Sequence, residues 1–166
     1  MPDRLPIEID HLVLPAFRAW HRDSFLLAAG DFASGDWNCM TVGWGGLGCL
    51  WDRPVAMVGA RPTRYTVEFL QRHPGFTLCH FPPGHRKALV LLGTRPGREG
   101  DKVAASGPTP VPSTVVAAPP LLSVLTSSVR WRSESRTFSD IACQLVAIRP
   151  FSPTRNVIGV VRVHAN

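Results

Sequence analysis

The chain has 166 residues, the size of one ordinary domain, and residues 1–166 are read as a single domain. At 45% hydrophobic and 18% charged it has a globular balance that argues against disorder, and 14 glycines with 16 prolines argue against a helix bundle. Eighteen basic residues against twelve acidic ones give a net charge of +6, and Lys87 and Lys102 are the only lysines, so the excess is arginine. Arginine favours fixed, bidentate contacts with phosphate or carboxylate, which fits nucleic acid and an anionic small ligand equally.

The first 24 residues carry Pro6, Pro15 and mixed charge, without the charged-then-apolar pattern of a signal peptide. Phe25-Leu26-Leu27-Ala28-Ala29-Gly30-Asp31 reads as a buried strand. A turn over 31–36 leads to a second strand, Trp37 to Val42, so a hairpin is expected. Gly43-Trp44-Gly45-Gly46-Leu47-Gly48 follows as a glycine loop, which demands unusual dihedrals or a close approach to the main chain. Residues 54–60 form the next apolar strand. Over 63–73 the period becomes helical, with Val67 and Leu70 three apart, Thr63 or Thr66 as candidate caps, and Pro74-Gly75 as the stop.

Residues 76–80 alternate as a strand, and 85–92 read as a short helix stopped by Gly93. A charged turn occupies 94–101, and the Pro, Ser and Thr stretch 106–120 reads as an irregular surface connection. Three more β-like runs lie near 123–131, 141–148 and 157–163. No repeat is present. Strands with two interposed short helices point to a small barrel or sandwich. No apolar run reaches the ~20 residues that span a bilayer. Cys39, Cys49, Cys79 and Cys143 form no C-x-x-C pair, so they are expected as small core residues in a cytoplasmic, reducing setting.

Three clusters could carry chemistry. Arg61-Pro62-Thr63-Arg64-Tyr65-Thr66 stands where a strand gives way to a helix. A helix start offers unpaired N–H groups and a positive dipole end, and with hydroxyls and two arginines it suits a phosphate. The same residues also suit a plain capped helix with solvated arginines. Asn38-Cys39-Met40-Thr41-Val42-Gly43-Trp44-Gly45-Gly46 ends a strand in glycines and exposes main-chain groups able to read a flat polar ring. On its own the segment reads more readily as a glycine loop with a packed tryptophan, and it is neither a P-loop nor a dinucleotide fingerprint. Gly97-Arg98-Glu99-Gly100-Asp101-Lys102 presents two cations, or a solvated turn. The histidines show no metal spacing, since the five-residue step from His80 to His85 crosses Pro82-Pro83-Gly84, and no serine sits in a nucleophile elbow.

In order, Phe25 to Asp31, Asn38 to Gly48, Trp51-Asp52-Arg53-Pro54-Val55, Arg61 to Leu70, Arg86 to Leu89 and Gly97 to Lys102 resemble the flavin reductase-like FMN-binding family, which includes flavoredoxin-type proteins. The similarity spans about residues 12–111. The resemblance implies a mainly β, Greek-key split barrel with short peripheral helices, a homodimer, and FMN near the subunit interface. It implies that Asn38, Met40, Thr41, Val42, Gly43, Trp44 and Gly45 line the isoalloxazine, largely through backbone. Arg61, Thr63, Arg64, Tyr65 and Thr66 match the stretch around the phosphate and ribityl chain, and Arg98 and Lys102 match a cationic turn near the same cofactor. Two stretches depart from the family: its Ser-Gly-Arg-Asp is Pro96-Gly97-Arg98-Glu99 here, and its Gly-Leu-Thr-Pro is Gly107-Pro108-Thr109-Pro110. Beyond about 112 the sequence diverges.

The activity implied is an NAD(P)H-dependent flavin reductase, with NADH or NADPH passing hydride to FMN and thence to a flavin, metal or protein acceptor. No dedicated acid–base residue is expected, because the cofactor carries the chemistry. An alternative is an FMN-binding electron-transfer protein without its own nicotinamide site. A basic barrel for single-stranded nucleic acid is the remaining reading. It wants interleaved aromatic platforms, whereas Tyr65 is the sole tyrosine and Trp131 stands alone between Arg130 and Arg132.

Overall fold

The computed structural model describes residues 12–50, 53–73, 75–81, 83–113, 116–119, 121–122, 142–148 and 157–163. A helical turn, α1 (Ala16–Arg18), runs directly into a wider π-type turn at Ala19–Asp23. The strands are β1 (Phe25–Asp31), β2 (Asp36–Val42), β3 (Gly45–Leu50), β4 (Arg53–Ala60), β5 (Gly75–His80), β6 (Thr109–Pro110), β7 (Leu121–Leu122), β8 (Ala142–Ile148) and β9 (Val157–Val163). Helix α2 spans Tyr65–Arg72 and α3 spans Arg86–Thr94.

Seven strands form one sheet in the order β2-β1-β5-β8-β9-β4-β3, every neighbouring pair antiparallel. The two edge strands, β2 and β3, are consecutive in the chain and joined only by Gly43 and Trp44. In a flat sheet, six inter-strand gaps of about 4.8 Å would hold those edges roughly 29 Å apart. From Val42 to Gly45 the chain spans at most about 11 Å. The sheet must therefore curl until its edges approach, although β2 and β3 do not pair with each other.

The curl gives the sheet an inside and an outside, and β1 is buried on both. Phe25, Leu27 and Ala29 face inward, with Met40 and Val42 of β2, Ala56, Val58 and Ala60 of β4, and Phe76 and Leu78 of β5. Val67 and Phe69 of α2 join this interior, as does Trp20 from the turn before β1. The alternate residues Leu26 and Ala28, with Cys39 and Cys79, face outward under Leu89 and Leu92 of α3. The apolar run in β1 thus satisfies two cores at once, each buried leucine or phenylalanine contributing about 1.5–3 kcal/mol.

The expected hairpin is present with its register fixed from Phe25↔Val42 to Asp31↔Asp36. Four expectations need correction. The glycine run is not a loop: Gly45–Leu50 is a strand, because Gly43 and Gly45 supply room rather than unusual dihedrals. A Cβ at Gly45 would overlap the Met57 carbonyl and the Trp20 ring. Gly93 does not stop α3, which continues to Thr94. Cys49 is exposed, while Cys39 and Cys79 are buried. The stretch read as a surface connection is partly internal: Ala118 is buried, and Thr77 donates from β5 to the Pro119 carbonyl at 2.8 Å. The strand expected near 123–131 lies outside the described residues. No helix of the described residues is long and apolar enough to cross a membrane.

Candidate nucleotide site at the outer edge of β2

As an edge strand, β2 leaves one row of main-chain N–H and C=O groups outside the ladder. The two helices straddle that edge. On the inner face of β2, Asn38 donates from Nδ2 to Thr66 Oγ1 in the first turn of α2 at 2.9 Å. On the outer face, Thr41 donates to the Leu89 carbonyl of α3 at 2.5 Å. Around the edge itself, Arg64 donates from Nη1 to the Gly93 carbonyl at 3.2 Å. The start of α2 and the end of α3 therefore meet at Arg64.

The start of α2 follows from the turn before it. Arg64 N–H bonds the Arg61 carbonyl at 3.0 Å, Arg64 is the extended N-cap residue, and no side chain caps the helix. Thr63 is exposed, and the Thr66 hydroxyl is committed to Asn38, so neither threonine acts as the expected cap. The first N–H groups of a helix lack partners within it, and here they follow directly on Arg64, whose guanidinium reaches the Gly93 carbonyl. A phosphate-sized anion is the ligand this donor set fits.

Asn38 and Thr66 are nearly sealed, at 8% and 1% exposure. Gly97, which opens a short 3-10 turn (Gly97–Glu99), lies flat against the Asn38 amide, and a Cβ there would overlap Asn38 Oδ1. This contact places Arg98. Its guanidinium stacks over the Tyr65 ring at 4.2 Å and pairs with Glu68, three residues along α2 from Tyr65. Tyr65 in turn meets Phe69 edge-on at 5.0 Å.

Lys102 is buried, with Nζ given to the Leu92 and Arg95 carbonyls at 3.2 and 3.4 Å. It neutralises the negative end of α3 rather than facing solvent. Burial holds its pKa below the ordinary lysine value, and the neighbouring Arg64 charge adds to that. Burial also pushes the Cys39 thiol up to about 12, which makes it an inert core group.

Of the remaining expected residues, Met40 and Val42 give their side chains to the interior. Gly43 packs beneath the Trp20 carbonyl, and Gly45 beneath the Trp20 ring. Trp44 is not the packed tryptophan of the loop reading: it stands 58% exposed, with Arg61 stacked 5.1 Å from its ring centre. Arg61 and Arg64 therefore diverge, one toward the β2–β3 corner and the other toward α3. The sequence reading missed Trp20 and Glu68, and it took Gly93 only as a helix stop and Gly97 only as the start of a cationic turn. Glu68 alone left a usable signal, its three-residue spacing from Tyr65 on one helix face; the others act through contacts distant in sequence.

No family model matches the sequence, and no curated protein sequence matches it. Among solved structures, flavoredoxin of Desulfovibrio vulgaris (Miyazaki F) is 23% identical, covering 100% of this chain and 77% of its own, with a TM-score of 0.64. The FMN-binding domain of a flavin reductase-like enzyme from Shewanella baltica OS155 is 12% identical over 97% of this chain and 74% of its own, with a TM-score of 0.67. The NADH:FAD oxidoreductase of Streptomyces globisporus C-1027 is 14% identical over 87% and 74%, with a TM-score of 0.63. The neighbours are thus flavoredoxin, flavin reductase-like and FMN-binding split-barrel proteins, as the sequence resemblance implies, and this chain shares their fold.

Proposed function

We propose that this protein is an FMN-binding oxidoreductase that holds the FMN phosphate at the start of α2. The observation that carries the proposal is the uncapped first turn of α2 beside Arg64, at the free edge of β2, in a fold shared with FMN-binding proteins. The Arg64 guanidinium has five donors and spends one on Gly93, which leaves others for phosphate oxygens. Thr63 and the N–H groups of Tyr65 and Thr66 complete the cradle. With Met40 and Val42 turned inward, the 38–45 stretch offers a ring its main chain. Asn38 is too tightly engaged with Thr66 and Gly97 to move, so it fixes where that main chain lies. Arg98 covers Tyr65 at the rim, and Lys102 keeps the α3 end in place from behind.

Bound FMN would supply the hydride and electron chemistry; the protein supplies position and fixed dipoles. In the fuller form of the proposal, NADH or NADPH is the donor and a flavin, metal or protein is the acceptor. Likeness to an NADH:FAD oxidoreductase supports that form. Likeness to flavoredoxin favours a second reading, an FMN electron carrier reduced by a partner protein. Anaerobic mixing with NADH or NADPH separates them: prompt bleaching of bound flavin supports the reductase, and bleaching only with a partner supports the carrier. The proposal also takes residues 1–166 as one Greek-key split-barrel domain, paired as a homodimer and working in the cytoplasm. The nucleic-acid reading loses support, because Tyr65 lies under Arg98 rather than in a stacking row.

A further inference from the structure

We infer that Ser24, in the turn before β1, is a further ligand-binding residue of the proposed flavin site, its hydroxyl bonding the polar edge of the flavin ring. The inference rests on the FMN reading above. Among the described residues Ser24 is the one non-glycine at positive φ, with φ 65° and ψ 163°. Glycine fills the other such positions, Gly30, Gly35, Gly100 and Gly107. A residue with a side chain is strained there, whereas glycine adopts this backbone freely.

Nothing in the local backbone requires a serine. Ser24 N–H closes the π-type turn on the Ala19 carbonyl at 2.8 Å, a bond that glycine would make equally well. The side chain is half-buried, and among the described residues its hydroxyl makes no hydrogen bond. The fold therefore keeps a strained residue whose polar group serves no contact of its own. Outliers of this kind concentrate at ligand sites, where the surrounding structure holds them in place. Here the surroundings do so. Asp23 is set between Arg18 at 3.4 Å and His80 at 3.7 Å, Arg86 donates to the Arg22 carbonyl at 3.5 Å, and the Trp20 ring packs on Phe25 with centroids 4.4 Å apart.

The hydroxyl stands beside the stretch proposed to read the ring. The β1–β2 ladder ends at Phe25↔Val42, so Ser24 and Gly43 are the next residues beyond it. A Cβ built on Gly43 would lie 3.5 Å from Ser24 Oγ and 3.1 Å from the Trp20 carbonyl oxygen. Gly43 thus leaves an open main-chain face with the serine hydroxyl over it. The polar edge of a flavin ring carries carbonyl acceptors and an N–H donor, and a hydroxyl can serve either. Because the turn is clamped on both sides, the hydroxyl is already ordered before a ligand arrives.

The test titrates FMN, and riboflavin, which lacks the phosphate, into flavin-free protein by calorimetry, with thermal unfolding of the same flavin-free samples. Ser24→Ala removes the hydroxyl and keeps the strain; Ser24→Gly removes both. Each variant is expected to bind FMN about two- to tenfold more weakly than the parent, and riboflavin more weakly by the same factor. Arg64→Ala, at the phosphate, should weaken FMN alone. Ser24→Gly should melt above Ser24→Ala, because only glycine is at ease in this backbone. Parental affinity in both Ser24 variants would overturn the inference, the hydroxyl then being merely hydrated. So would a loss confined to Ser24→Gly, which would trace to the backbone, or a loss confined to FMN, which would place Ser24 at the phosphate. A Ser24→Gly chain no more stable than Ser24→Ala would remove the strain and overturn it as well. A parent protein that binds neither flavin would refute the FMN reading itself, an outcome distinct from a parent that binds and variants that match it.

Discussion

Thr66→Val removes one oxygen from the point where fold and site meet. The side chain keeps its shape, but Asn38 Nδ2 loses its acceptor, and both residues are almost fully sealed from water. The amide has no room to turn elsewhere, because Gly97 lies directly against its oxygen. A buried donor left without a partner costs about 1–3 kcal/mol. For a domain of this size that lowers Tm by roughly 2–12 °C. Urea denaturation should show a lower midpoint with an unchanged slope, since the surface exposed on unfolding does not change. Replacing both partners, Asn38→Leu with Thr66→Val, should recover part of the loss, because no orphaned donor remains. A Thr66→Val variant as stable as the parent, or a double variant no better than the single one, would refute this account of the pair.

Gly45→Ala should be among the most damaging single substitutions, at about 3 kcal/mol or more, because its methyl would meet the Met57 backbone as well as Trp20; thermal denaturation measures it. Asp36 joins the hairpin to the end of α2, accepting from Arg72 Nη2 at 2.9 Å and contacting His73 Nε2 at 3.1 Å. The His73 hydrogen bond, aided by the Arg72 charge, holds its carboxyl below the ordinary 3.8. Because the unfolded chain then binds the proton more readily, this contribution is present above about pH 4 and lost as pH falls through the folded-state value. Urea midpoints between about pH 3 and 6 should therefore converge for the parent and Asp36→Asn as the pH drops; parallel curves would exclude the pair as a source of acid sensitivity.

Much of the framework was legible because its signals are local. The apolar run of β1 and the helical spacing of Val67 and Leu70 each record burial of the element's own side chains, whereas β5, read as an alternating strand, is buried on both faces because Cys79 packs under α3 and Thr77 is bonded to Pro119. The run over 157–163 coincides with β9, and the run near 141–148 with β8. What escaped depends on contacts between distant segments. Nothing local in Gly45–Leu50 announces a strand, because the glycines answer to Trp20 and Met57 rather than to their neighbours. The basic turn shows the same limit. The resemblance implies that Arg61, Arg64, Arg98 and Lys102 approach one cofactor; in the structure their side chains meet an indole, the α3 end, Tyr65 with Glu68, and buried carbonyls, contacts that nothing local announces.

Titration of FMN into the purified protein, followed by visible absorption and calorimetry, bears most directly on whether the start of α2 is a nucleotide site. The account predicts saturable binding with flavin bands in the wild type, and an affinity about 5–150-fold lower in Arg64→Ala, the equivalent of about 1–3 kcal/mol for one charge-assisted contact. A wild-type protein that stays colourless and gives no heat, or an Arg64→Ala variant that binds FMN as tightly as its parent, would contradict it.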